Sequence, residues 1–377
     1  MSDNTSPTHA DRAVTPWSAT TGAHRSSRSL VKRALAFVVA GVGFYVVFPS
    51  LSRVVGAWPE LSTLSPIWLA GAVVAEVAAF ACNFGLQRLV LRTSGWFAVV
   101  TAGLVGNVVT AVLPGGDAAG AGIQFRMLTA AGVDADQAAG GLTAAALLGV
   151  GGLFAMPLFA LPAIAGGTTV NPGLLHAALL GLVGFVVLVI GGIVILATDE
   201  PLRIVGRALQ WLWNESFGRH NKITGLDQRL LSQRDQIRST LGRDWHRAVL
   251  LVGGRLGLDY LCLLCALRAT GSVPNAPLVL LAFAAAQIIA LVPITPGGLG
   301  IVEASLSGFL MLAGVNTWKA IVATLAYRLA SYWLPLLAGA VAYPLYRRRY
   351  GSVPIDDPGE GRAVRDTPQL IPGKHTT

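Results

Sequence analysis

Pro296-Gly297-Gly298-Leu299-Gly300-Ile301-Val302-Glu303 and its earlier echo, Leu113-Pro114-Gly115-Gly116-Asp117, decide how this chain is read. Proline donates no backbone hydrogen bond and paired glycines loosen the next few residues, so each Pro-Gly-Gly breaks one helix and starts another. Carrying the 182-residue offset forward without a gap brings Ala131-Gly132-Val133 onto Ala313-Gly314-Val315 and Ala138 onto Ala320, with agreement at 8 of 25 positions between Pro114 and Ala138. Several of these matches are Gly or Ala in a Gly/Ala-rich chain, so the shared order of elements carries the inference. A repeated apolar unit with a broken helix in each copy is the pattern of a transporter.

Composition sets the environment. Hydrophobic residues make up 53% of the 377 and charged residues 12%, with mean hydropathy +0.61, far from the roughly 25% charged of a soluble average. The chain reads as a polytopic membrane protein. Cys82, Cys262 and Cys265 all fall in apolar runs, where they act as small fillers and give no basis for a disulfide framework. No His/Cys/carboxylate set has metal-ligand spacing, and neither a nucleophile elbow nor a phosphate loop occurs, so no metal, cofactor or enzymatic activity is expected. The net charge of +9 resides in Arg12 to Arg33, in nine Lys/Arg from Arg203 to Arg247, and in Arg347 to Arg349. Flanking apolar runs as they do, these regions mark the cytoplasmic side and exclude nucleic acid as the reason for the charge.

Apolar runs give five elements per copy: 31 to 49, 67 to 91, 97 to 113, 115 to 131 and 137 to 165, then 174 to 197, 245 to 270, 277 to 295, 297 to 313 and 317 to 345. The expected organisation is a disordered cytoplasmic tail (1–30), a first membrane repeat (31–165), a second repeat (174–345) interrupted by a basic amphipathic insert (199–244), and a second disordered cytoplasmic tail (350–377). A helix needs about 20 residues to cross a bilayer, so the short runs beside each Pro-Gly-Gly are either marginal spans or re-entrant half-helices. Either choice changes the crossing count by an even number. Starting inside and counting across, corresponding elements of the two copies run in opposite directions. The expected fold is therefore an all-α polytopic, multi-pass membrane protein with an inverted-topology repeat and both termini cytoplasmic.

The candidate binding groups are set by the breaks and the intramembrane charges. Pro114-Gly115-Gly116 and Pro296-Gly297-Gly298 expose unpaired amides at new helix starts, where the positive dipole end suits an anion such as a lipid phosphate; a plain turn between short spans is the alternative. Asp117 lies at the first break. Glu76, Arg126, Arg255, Asp259, Glu303 and Arg328 lie inside apolar runs and must find partners. Arg255 and Asp259, four apart on one helix, are expected to form a structural ion pair. Arg126 and Arg328 lack an opposite charge within a turn and are candidate phosphate ligands, Arg126 having surface snorkelling as its competing reading. Glu303 has three open fates: to counter the helix dipole, to pair with Arg328, or to take up a proton.

With these motifs in view, the chain resembles the transmembrane region of the bacterial lysylphosphatidylglycerol synthase/flippase family. The likeness rests on Leu113-Pro114-Gly115-Gly116 with Arg126 downstream, on Leu258-Asp259-Tyr260 before Leu267-Arg268, on Pro296 to Glu303, and on Tyr327-Arg328 leading to Tyr332-Trp333-Leu334-Pro335. It implies a polytopic inner-membrane protein that moves or binds a lipid, and it adds Tyr327 to the candidate binding residues. Two departures are visible. The first-copy loop, Asp117-Ala118-Ala119-Gly120, carries less charge before Arg126 than the family pattern, and only a short polar tail comes after Tyr350, where full-length relatives carry an aminoacyl-transferring domain. The expected function is a flippase-like transporter binding an anionic lipid or lipid-linked head group between inverted repeats. A non-transporting partner of a separately encoded lipid-modifying enzyme, or a membrane enzyme on a lipid-linked substrate, are the alternatives.

Overall fold

Proline is tolerated at the first helical position because that amide has no intrahelical partner, and Pro66 opens α1 (Pro66–Val90) in this way. The computed structural model describes residues 64–93, 95–113, 116–167, 169–198, 226–292 and 295–351, with 226–243 described as backbone alone. The expected first run (31–49), the tails 1–30 and 352–377, and residues 199–225 of the insert lie outside the described residues. After α1 come α2 (Trp96–Val112), α3 (Gly116–Ala130), α4 (Ala135–Ala155), α5 (Leu161–Ala165), α6 (Pro172–Ala197), α7 (Leu226–Ala269), α8 (Ala276–Ala290), α9 (Ile301–Leu312), α10 (Thr317–Arg328) and α11 (Leu334–Tyr350). No strand occurs among the described residues, which agrees with an all-α polytopic protein.

Five stretches are long and apolar enough to cross a membrane: Pro66–Val90, Ala135–Ala165, Pro172–Gly192, Asp244–Ala269 and Thr317–Tyr350. Their outward faces are apolar, as at Val74 and Val77 on α1 and Leu180, Val183, Val187 and Ile190 on α6. Water would penalise such a surface; lipid does not. Polar caps mark the ends. Asp134 accepts from the amides of Asp136 and Gln137, Asn171 from Gly173, and Asn316 from Trp318.

Two expected long helices are interrupted where proline removes a donor. Pro157 and Pro162 turn the expected 137–165 helix into α4, a 3-10 turn (Met156–Ala160) and the short α5. Between α10 and α11 the chain winds through a π turn (Leu329–Trp333) just before Pro335, whose missing N–H loosens the regular ladder there. In α7, the backbone of the insert's second half (226–243) is helical and meets the apolar segment at a kink on Asp244.

Each Pro-Gly-Gly joins two short helices. α2 and α3, at 17 and 15 residues, and α8 and α9, at 15 and 12, measure about 26, 23, 23 and 18 Å, below the bilayer core's ~30 Å. α2 and α3 pack antiparallel at close range. A Cβ on Gly120 would come 2.6 Å from the Gly106 carbonyl and press on Thr110, and one on Gly116 would meet the Thr110 backbone.

The two hairpins approach from opposite ends of the α10–α11 helix. At its Tyr350 end, Tyr346 donates to the Met127 carbonyl (2.6 Å) and Arg349 stacks over Phe97, both from the open end of the first hairpin. At its Thr317 end, Lys319 donates to the Gly271 carbonyl just before α8 begins. Near the middle, Tyr332 donates to the Ala111 carbonyl (3.2 Å), while Gly297 lies against the same ring. The hairpin tips therefore meet halfway along. α1 gives the same ordering: Ser65, at its start, bonds the Ala269 carbonyl at the end of α7, and Leu91, past its end, accepts from Gln137 at the start of α4.

Candidate functional site

Where the tips meet, a cavity of about 370 Å³ opens between α1, α2, α7, α8 and the α10–α11 helix. Its wall is polar for a protein of this composition. It carries the carboxylates of Glu76, Asp117 and Asp259, the guanidinium groups of Arg255 and Arg328, the amides of Asn83, Asn107 and Gln287, and the hydroxyls of Thr110, Thr295, Tyr327, Ser331 and Tyr332. Glu76 lies near the midpoint of the 25-residue α1, so the cavity sits at mid-depth of the spanning helices.

The second break is held by one cluster. Gly297, Gly298 and Gly300 take φ values of 58°, 67° and 85°, a left-handed run open to glycine. Glu303 then closes the start of α9 by accepting from the Gly300 amide with one oxygen and from Arg328 Nε (3.0 Å) with the other. Arg328 also donates Nη2 to the Gly297 carbonyl (3.0 Å), and its guanidinium lies 4.6 Å from the centre of the Tyr332 ring. The planar fork thus binds the turn's own carboxylate and carbonyl together.

Asp259 is held by residues distant in sequence. Tyr327 donates to Oδ1 (2.8 Å), and Gln287 donates to Oδ2 (3.3 Å). The expected Arg255–Asp259 ion pair is corrected here: no contact within 4.0 Å joins them among the described residues, because the carboxylate's bonds go to α8 and α10. Arg255 instead packs beside Gly149 of α4 and faces the cavity without a carboxylate in direct contact among the described residues. Glu76 is 4% exposed, and its Oε2 has no hydrogen-bond partner among the described residues; the buried hydroxyls of Thr295 and Ser331 share that condition.

Of the residues singled out from sequence, Gly116, Asp117, Gly297, Gly298, Tyr327 and Arg328 line the cavity. Glu303 stands behind the wall and holds Arg328. Pro296 belongs to the turn of the second break, whereas Pro114 and Gly115 lie outside the described residues. Arg126 is exposed near the end of α3 and is not among the lining residues, a position that matches a side chain reaching for the membrane surface. Asn83, Asn107, Gln287 and Tyr332 escape a scan for charge. Their signal is an amide or phenol inside an apolar helix, which must find a polar partner in a membrane.

Helices dressed in apolar side chains around a polar mid-depth cavity define a multi-pass membrane protein. Known proteins agree with that class. The model of the lysylphosphatidylglycerol synthase TM region matches residues 33–339, and the chain belongs to that family. It is also similar to a UPF0104 membrane protein of Methanothermobacter thermautotrophicus, 32% identical over 111 residues, a match covering 28% of this chain and about a third (32%) of that protein's length.

Proposed function

We infer that this protein is a flippase-like lipid transporter that seats the head group of an anionic lipid, or of a lipid-linked molecule, in the cavity while the acyl chains stay in the surrounding bilayer. The observation that carries the reading is the polar cavity itself. Each ion at mid-membrane costs roughly 3 kcal/mol to insert, so several of them gathered around an accessible space favour a polar passenger over mere scaffolding. Arg255, with no carboxylate in direct contact among the described residues, offers a planar fork to a phosphate, and the start of α3 at Gly116 supplies amides and a positive dipole end to the same cavity. Under this reading the protein moves lipid without modifying it, sits in the inner membrane with both termini cytoplasmic, and takes its passenger from the bilayer or from a separately encoded lipid-modifying enzyme.

The test is reconstitution into phosphatidylglycerol vesicles carrying a trace of fluorescent (NBD) phosphatidylglycerol, with dithionite added outside. Wild-type protein should expose inner-leaflet label faster than protein-free vesicles do, and Arg255→Gln should slow that exposure about tenfold or more, the scale of one lost charge-assisted contact. Movement equal to protein-free vesicles across anionic and zwitterionic probes would sink the transport reading.

A further inference from the structure

We propose that Glu76 and Asp259 form a proton-binding site of the cavity, one exchangeable proton held between two carboxylates and reached through the cavity's water. Gly71 of α1 lies against Cys265 of α7, Cys82 against Gly254 and Gly85 against Leu251, a register that sets Glu76 opposite Asp259 where both line the cavity, with the Cys262 thiol beside them. A hydrogen bond between two carboxyl groups requires one proton, since two carboxylates offer only acceptors. The same proton brings a donor to Glu76, which is 4% exposed with Oε2 unpartnered among the described residues.

Charge balance leads to the same count. The groups facing the pair are Arg255 and Cys262 from α7, Tyr327 and Arg328 from α10, and the neutral Gln287 from α8. Arg328 is already neutralised by Glu303 through a direct ion pair at 3.0 Å. That leaves Arg255 as one cation for two acids among the described residues. With no proton the group carries one uncompensated negative charge inside the membrane; with one proton it is neutral, and both carboxylates are in contact with a donor. Both acids line the cavity, so the proton has a route in and out. If the transport reading holds, an anionic head group that claims Arg255 leaves the acid pair uncompensated and draws in a second proton.

Infrared difference spectroscopy of the full-length protein in nanodiscs, in sodium-free buffer at neutral pH and again after deuterium exchange, reads the proton directly. Wild type should show a protonated-carboxyl C=O band that shifts in deuterium oxide, and both Glu76→Gln and Asp259→Asn should lose it while keeping the wild-type elution volume. Arg255→Gln, which removes the compensating cation as a phosphate would, should raise the band area about twofold. Absence of the band in wild type overturns the site, and so does its persistence in both carboxamide variants. A band that disappears on adding sodium alone would overturn it in favour of a metal-cation site. Since no lipid movement is measured, the result is separable from that of the vesicle assay.

Discussion

Arg328 shows how one side chain holds a turn together. Its fork reaches Glu303 and the Gly297 carbonyl at once, and both ion-pair side chains are largely buried, at 11% and 14% exposure. Truncating it strands a carboxylate near the membrane's middle, a loss of about 3–5 kcal/mol for a buried partner left unpaired. Arg328→Ala should therefore lower the thermal unfolding midpoint in detergent well below wild type. Adding Glu303→Gln should recover part of the loss, because the stranded charge goes with it; strict additivity in that cycle would mean the pair is not coupled. Glu303 three residues after Gly300, at a helix start, made this outcome one of the three readable in the sequence. Asp259 was not readable. Its four-residue spacing from Arg255 points along its own helix, while its actual donors, Tyr327 and Gln287, lie 68 and 28 residues away.

Among the elements, the hairpins were half legible. Pro-Gly-Gly and the short apolar runs beside it locate both breaks, since proline and glycine act locally whatever the tertiary surroundings. What the arms of a hairpin touch is a tertiary fact. Gly106 and Gly120 look like two of many glycines in the sequence, yet they face each other where α2 and α3 cross. A methyl at Gly120 would meet the Gly106 carbonyl at 2.6 Å and crowd Thr110, and neither backbone can retreat without opening the hairpin. Gly120→Ala should destabilise the protein by roughly 1–3 kcal/mol, the usual range for overpacking, whereas Gly122→Ala, with nothing within 4 Å of its added carbon, should leave the midpoint within a fraction of that or raise it slightly. Thermal unfolding of the two variants side by side checks this; equal shifts would remove the close crossing as the cause.

At the scale of the whole molecule, the hairpin tips meet near Tyr332 while their open ends lie at opposite ends of the helix they share. An inverted repeat, the expectation drawn from the 182-residue echo and the positive-charge count, would set the hairpins in this way, because proline breaks and basic flanks are written locally. The polar cavity was not anticipated in full, as Asn83, Asn107 and Gln287 come from three separate helices and gain meaning only when these converge. An inverted arrangement makes a sharp demand on sidedness. Asp136 lies just past the first hairpin's open end and Val273 just before the second's, and both are exposed. In a background with Cys82, Cys262 and Cys265 replaced by alanine, a cysteine at Val273 should react with a membrane-impermeant maleimide added outside intact cells. One at Asp136 should react only after permeabilisation, as the basic flanks require of the cytoplasmic side. Labelling of both from one face would place the two hairpins on the same side of the bilayer and overturn the inverted repeat.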